Sequence, residues 1–263
     1  MRKSQYPFGY IVYLGEMKTT EIQFLYPERA FGSISFQPEI NALRNCGFVV
    51  EERPQSEVKL ILYKGYALSC KNDYPLDKRM WQSWDEYKAM SLLSIYYPLI
   101  SDISIPTFFV DELDEVVIQK EMTRRGWDSV FIKNDEKSLF VLGEMASVYP
   151  LHSLKDIKEN LAKYPTLEGA KYAIRKYLDL REEWVKEERY FVINNQIFHR
   201  SGVVPPMVQD AANRLKVLGS HYYVIDSTPD FIVEVNPGEC SNRYGENSPE
   251  LYASWYKQAL ETL

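Results

Sequence analysis

Cysteine is scarce in this sequence and scattered where it occurs. Cys46, Cys70 and Cys240 form no C-x-x-C pair, so neither a disulfide framework nor a thiolate zinc site is indicated, and a reducing, cytoplasmic compartment is expected. Histidine is equally rare. His152, His199 and His221 stand too far apart for ligand spacing, and each reads as a surface or structural residue rather than a catalyst. Basic residues are not in excess: the net charge of −6 argues against an extended nucleic-acid surface and leaves room only for a local basic pocket. No uncharged apolar run reaches membrane-spanning length. The opening "MRKSQYPFGYIVYLGEM" starts basic, but Gly9 and Gly15 break its apolar run, so it reads as a first β-strand rather than a signal peptide. The phosphate loop G-x-x-x-x-G-K-[ST], the dinucleotide fingerprint G-x-G-x-x-G, the nucleophile elbow G-x-S-x-G and the zinc pair H-E-x-x-H are all missing.

What is present is a chain of 263 residues, 45% hydrophobic and 14% aromatic, with enough apolar mass for a large core in one multi-lobed unit or two domains. "YPFGYIVYLG" and "VKLILYKGYAL" look like strands, and "FQPEINALRNCGF" between them has helical periodicity and a Gly47 stop, which gives a small α/β lobe. "SWDEYKAMSLLSIYYPLI" predicts a helix capped by Ser83 and ended by Pro98. "PTFFVDE" predicts a strand, "LDEVVIQKEMTRRG" a helix, and "DSVFIKNDEKSLFVLG" a strand, a polar turn and a second strand. The whole of "SLKDIKENLAKYPTLEGAKYAIRKYL" is helical in character, capped by Ser153 and broken at Pro165. "ERYFVINNQIFHRSG" predicts a hairpin around Asn194-Asn195, "PPMVQDAANRLKVLG" a helix ending at Gly219, and "SHYYVID" with "DFIVEVN" a second hairpin. Ser248 and Pro249 start a last helix. This succession implies an α+β or α/β protein of several subdomains around a cleft.

Chemistry concentrates in "DFIVEVNPGE", residues 230–239. Alternation along a strand puts Ile232, Glu234 and Asn236 on one face and the apolar Phe231, Val233 and Val235 on the other. The polar face is either wet surface or a site for a hydrated divalent cation wanting oxygen ligands. Asp226, closing "YYVID", joins that face only if opposed residues have numbers with an even sum, which requires an odd loop or a bulge; a two-residue turn at Thr228-Pro229 would put it on the wrong side. Lys133 ends "DSVFIK", where a cation can meet phosphate oxygens in a cleft. "LREEWVKEERYFVI" gathers Arg181, Glu182, Glu187, Glu188 and Arg189 around a strand start, an arrangement more often a solvated charge run. In "GECSNRYGENS", Asn242 and Arg243 are positioned to contact an acidic substrate or a phosphate, against the more ordinary reading of a polar turn.

In this order, a strand lysine, an acidic segment running into "EERYFVI", a helix, "YYVID" and "FIVEVNPG", the chain resembles the ATP-grasp superfamily over roughly residues 105–239. It looks closest to the branch containing the ribosomal-protein glutamate ligases and their divergent bacterial and phage relatives, some of which share a pattern like Lys133–Lys137–Ser138. The resemblance implies an α+β, ATP-grasp fold: two subdomains, 92–182 and 183–263, closing on ATP, preceded by the N-terminal α/β lobe, 1–91. It implies that Lys133, with Lys88 as a second lysine, contacts phosphates; that the segment with Arg181, Glu182 and Glu183 holds adenine; and that Glu187 or Glu188 takes the ribose hydroxyls. Arg189 would face the γ-phosphate or an acyl-phosphate, and Asp226, Glu234 and Asn236 would hold Mg²⁺, or Mn²⁺ in its place. The chain departs from the family after Lys133. A glycine-rich flap is replaced by "NDEKSLFVLGEMASVYP", whose only glycine is Gly143, so Lys137 and Ser138 either substitute for the flap or it works differently.

The implied reaction is carboxylate–amine ligation through an acyl-phosphate with release of ADP, which needs positioning and charge neutralisation rather than a nucleophilic side chain. The alternatives are a small-molecule kinase on the same scaffold and a nucleotide-binding module without turnover. The expected partners are small-molecule or peptide carboxylates and amines, with neither nucleic acid nor membrane, and the oligomeric state is left open.

Overall fold

The computed structural model describes residues 17–136, 147–163, 166–178, 186–241, 243 and 247–263. The expected first strand in "YPFGYIVYLG", Lys137, Ser138 and Gly143, the hinge residues Arg181, Glu182 and Glu183, and Asn242 lie outside the described residues. Among the described residues no helix is long and apolar enough to cross a membrane. The chain divides into two compact units, one comprising 1–64, 77–81 and 243–263, the other 65–76 and 82–242.

The first unit is a parallel three-stranded sheet, β1 (Ile22–Leu25), β2 (Val49–Glu51) and β3 (Leu60–Tyr63), in the order β2-β1-β3. All four side chains of β1 and of β3 are buried, as parallel strands covered on both faces require. A short α1 (Glu28–Phe31) and the predicted α2 (Gln37–Asn45) fill the β1–β2 crossover. The last helix, α8 (Pro249–Leu260), starts at its Ser248 cap and packs on α2. Between them lies a buried polar cluster: Lys64 Nζ donates to Tyr252 Oη at 2.9 Å and lies 3.9 Å from Glu39 Oε1, Tyr26 Oη donates to Glu39, and Tyr252 and Tyr256 share a hydrogen bond of 3.0 Å.

The second unit contains two four-stranded antiparallel sheets. One has the order β4-β7-β5-β6, from β4 (Thr107–Val110), β5 (Val130–Asn134), β6 (Val148–Tyr149) and β7 (Tyr172–Lys176). Ile132, Ile174 and Phe108 form a row on the face buried by α5 (Glu115–Arg125) and α6 (Leu154–Leu161) through Ile118, Met122 and Ile157. The other sheet has the order β11-β10-β8-β9, from β8 (Glu188–Ile193), β9 (Gln196–Phe198), β10 (Tyr222–Ser227) and β11 (Ile232–Pro237). Its apolar face, with Tyr190, Val192, Tyr223, Ile225 and Val235, buries α4 (Leu93–Ile100) and α7 (Pro206–Leu215). The β8–β9 turn has Asn194 and Asn195 at φ of 49° and 61°, the left-handed region that asparagine tolerates best after glycine.

Three expectations change. The helix predicted after Ser83 is two: α3 (Trp84–Ser91) ends at Leu92, which is extended, and α4 begins beside it. The break has a cause in Asp135, whose carboxylate accepts from Ser94 N at 2.6 Å and whose carbonyl accepts from Leu93 N at 2.8 Å, a cap supplied from just past the end of β5. Pro98 does not end α4 but lies inside it, because Leu93, Tyr96 and Ile100 are buried in the core on either side of it. "KYAIRK" is a strand, β7, not the continuation of a helix; its Ala173 and Ile174 are both fully buried, one on each face of a central strand.

His221 immediately precedes β10, its backbone N–H donating to Gln82 Oε1 at 2.7 Å and its carbonyl accepting from Asn194 N at 2.8 Å. Burial depresses its imidazole from the ordinary 6.5 to about 4. The unfolded chain therefore binds this proton more readily than the folded one. Its contribution to stability is intact above pH 6.5 and is lost as pH falls towards 4. Unfolding free energies from urea titrations at pH 7 and pH 4.5 should differ by about 2 kcal/mol on this account, and His221→Gln should remove that part of the slope. An unchanged slope in the variant would assign it to carboxylates instead.

Candidate functional site

The non-core face of the β8–β10–β11 sheet carries a row of charge. Arg189 on β8 is directly opposite Asp226 on β10, and Asp226 directly opposite Glu234 on β11. For Asp226 and Glu234 the opposed numbers have the even sum that the sequence demands for a shared face. The register shifts between Asp226 and Ser227, so a β-bulge, one of the two devices anticipated, does the work. The bulge also changes what its neighbours do. Ile232, expected beside Glu234, turns into the apolar core with Val235, while Val233 is only half-buried.

Arg189 holds Asp226 with two parallel bonds, Nε to Oδ1 at 2.7 Å and Nη2 to Oδ2 at 2.6 Å, with both side chains almost fully buried. From the other sheet Lys133 donates to Glu234. Lys133 is itself placed by β5: its neighbours Ile132 and Val130 face the core, which turns it to the opposite side, and two residues on Asp135 ties the strand's end to α4. Burial would raise the Glu234 carboxyl, but the Lys133 ammonium overrides it and holds the group down at about 2. Burial pulls the Lys133 ammonium below its ordinary value. Asn236, one turn of the pleat beyond Glu234, has its amide nitrogen 3.0 Å from Glu234 Oε2 and 3.5 Å from Asp226 Oδ2. Among the described residues no group of three His, Cys, Asp or Glu side chains is gathered for a metal; the donor set here is two carboxylates and an amide. Rotating the Asn236 amide by half a turn exchanges its nitrogen for its oxygen and completes an oxygen set of the kind Mg²⁺ takes.

The structure thus brings together Lys133, Arg189, Asp226, Glu234 and Asn236. Lys88 is half-buried on α3, which packs against β11, and takes no part in these ion pairs. Glu188 requires a correction as a ribose candidate. It alternates with Arg189, so it leaves β8 on the opposite face, where it pairs with Lys186 at 3.0 Å, His199 at 3.1 Å and Arg200 at 3.4 Å. Glu187 has the parity of Arg189 and lies close enough to Arg175 to act on its charge. Arg243 closes its own loop, donating to the Asn247 carbonyl at 2.6 Å. After Asn236 the chain turns at Pro237-Gly238, and a Cβ on Gly238 would stand 2.0 Å from the Tyr222 ring, an approach only glycine permits. One residue was missed: Arg175, on the same face of β7 as Ala173, which is opposite Lys133. Its segment was read as helix, so its alternation with Ile174 was not counted.

Two sheets that meet through a lysine from one and an acid–acid–amide strand from the other define a fold class: the chain has the ATP-grasp fold. No protein-family model and no curated protein matches its sequence. Similar solved structures include the ATP-grasp ligase PsnB complexed with minimal precursor, Mg and ADP, 10% identical, with 93% of this chain and 99% of that one covered at a TM-score of 0.55. The macrocyclase MdnC bound with precursor peptide MdnA from Microcystis aeruginosa is 12% identical over 90% of this chain and 99% of its own, at a TM-score of 0.54. D-alanyl-alanine synthetase A from Vibrio cholerae is 11% identical over 94% of this chain and all of its own, also at 0.54.

Proposed function

We propose that this chain is an ATP- and Mg²⁺-dependent carboxylate–amine ligase. The observation that carries the reading is the row Arg189–Asp226–Glu234 across three strands, met by Lys133 from the facing sheet. The metal's part is to neutralise phosphate charge and orient the phosphates between the acids and the substrate. Asp226, Glu234 and the Asn236 amide oxygen would hold it. Lys133 and Arg189, released from their carboxylates, would take phosphate oxygens, Arg189 as a fixed fork and Lys133 as a point charge. A substrate carboxylate oxygen then bonds to the γ-phosphorus as the bond to ADP breaks. An amine next bonds to the acyl carbon as phosphate leaves, its proton passing to solvent. Glu187, on the Arg189 face, is the better placed of the two glutamates for the ribose. PsnB and MdnC were solved with precursor peptides, which supports a peptide as the acid or the amine donor here.

The ion pairs give this reading a thermodynamic signature. Each cation that would bind phosphate is paired with an acid that would bind metal, so either ligand alone must break a buried pair, whereas both together exchange partners. The two should therefore bind with strong mutual coupling, each raising the affinity for the other by at least about tenfold, the same factor in both directions. In thermal unfolding, Mg²⁺ alone and AMPPNP in EDTA should each shift the midpoint little. Together, at about a hundred times the dissociation constant, they should add roughly 2.7 kcal/mol, a rise of about 5–10 °C. No rise with both ligands saturating would end the ligase reading. A screen of acids and amines for ADP release and amide product then separates ligase from kinase.

A further inference from the structure

Among the described residues β11 is the outer strand of its sheet, bridged to the 103–105 segment only at Ile232, so the backbone groups around Glu234 on its outward edge face no strand. Around Glu234 they are held by side chains instead. The Val233 carbonyl accepts from Arg175 Nη2 at 2.7 Å, and the Val235 N–H donates to Tyr96 Oη at 3.2 Å. Below them the 103–105 segment takes over, with Ile232 N donating to the Ile103 carbonyl at 2.8 Å. The two backbone groups that flank Glu234 are thus each pinned from outside the sheet, at the bulge that turns Glu234 towards Asp226.

Arg175 is the more demanding of the two pins. It is only 6% exposed, and its Nε also donates to Thr107 Oγ1 at 3.3 Å. The guanidinium spans from β4 of one sheet to β11 of the other. Lysine has the charge but not the rigid fork that reaches two neutral acceptors at fixed separation. Arg175 also differs from the other two cations of the site. Lys133 and Arg189 bond to carboxylates and have phosphate to exchange for them, whereas the Arg175 bonds are to a carbonyl and a hydroxyl.

We infer that Arg175 is a positioning residue: by fixing the bulge at Val233 it sets the distance between the Glu234 and Asp226 carboxylates, and so the size of cation the pair accepts. This rests on the ligase reading above. Mg²⁺ demands near-ideal octahedral geometry at about 2.0–2.1 Å, while Ca²⁺ accepts irregular oxygen ligands at about 2.3–2.6 Å. A pinned Glu234 therefore favours the smaller ion, and a loosened one surrenders that preference.

The test is calorimetric titration of Mg²⁺ and Ca²⁺ into the full chain saturated with AMPPNP, comparing wild type with Arg175→Met, Arg175→Lys and the milder Thr107→Val and Tyr96→Phe. Arg175→Met should weaken Mg²⁺ about tenfold or more, the size of effect that second-layer partners of metal ligands have, and leave Ca²⁺ nearly unchanged. Arg175→Lys should behave like the methionine variant, because the fork rather than the charge is at issue. Thr107→Val and Tyr96→Phe should move the Mg²⁺/Ca²⁺ ratio in the same direction by less, and they decide the question if the Arg175 variants do not fold. A ratio equal to wild type in folded variants, whatever their loss of stability, overturns the role of Arg175 alone. Wild type that binds neither ion with nucleotide overturns the ligase reading itself.

Discussion

Glu234→Gln should abolish turnover while leaving a folded protein, with ADP release lowered on the order of 10²–10³-fold, the scale for removing one preorganised electrostatic group from an active site. The substitution keeps the shape and one oxygen but removes the charge that both Mg²⁺ and Lys133 would use. Its effect on stability is separable. Lys133 is 4% exposed and Glu234 is its carboxylate partner, so the single variant leaves a buried ammonium uncompensated, a change that costs about 3–5 kcal/mol when one member of a buried pair is lost. Lys133→Met combined with Glu234→Gln removes both charges and should recover most of that stability. It should recover none of the activity. Chemical denaturation and ADP release on the four proteins of this cycle give the answer. A double variant that regains activity along with stability would mean that these residues serve the fold and not the reaction.

The second large effect is expected in the other unit, where no chemistry is proposed. Lys64→Met should lower stability by about 3–5 kcal/mol, a drop in midpoint of roughly 10 °C or more. Lys64 and Glu39 are both almost fully buried, and without the ammonium the Tyr26 hydroxyl is left as the donor to the Glu39 carboxylate among the described contacts. Burial, and after it the neighbouring Glu39 carboxylate, push the Tyr26 phenol well above its usual value, so it remains protonated and goes on donating. That is not enough to replace a cation. Lys64→Met with Glu39→Leu should restore most of the loss, because two apolar side chains need no partner. The specific activity of the folded fraction should match wild type in both. If the single variant loses less than about 1 kcal/mol, the Lys64–Glu39 pair contributes little to holding this unit together.

Much of this structure can be read from short local signals. Ser83, Ser153 and Ser248 cap the helices their spacing announces, Gly47, Gly126 and Gly219 stop others at positive φ, and Asn194-Asn195 marks a hairpin. Strand ends and alternation singled out Lys133, Glu234 and Asn236 and gave Asp226 a conditional place beside them, whereas Arg189 was picked from its charge run only by the family resemblance. What escaped has a common cause: it depends on a count of one. The bulge beside Glu234 inserts a single residue and leaves no trace in composition, yet it sends Ile232 to the core. Glu187 and Glu188 differ by one position and so by a face of the sheet, and only the strand's start decides which is which. In "KYAIRK" the helix-forming Ala, Lys and Arg outweighed the alternation of Ile174 with Ala173 and Arg175, because propensity yields to burial on both faces of a central strand.

The first unit is assembled from segments far apart in the chain, and this bears on its birth at the ribosome. β1, β2 and β3, with Lys64 and Glu39, are synthesised before the tyrosines of α8. Every element of the second unit is synthesised before Tyr252 and Tyr256 arrive to cover them. During synthesis the sheet therefore waits for α8, and until that helix is made Lys64 lacks the tyrosine hydroxyl it donates to in the folded unit.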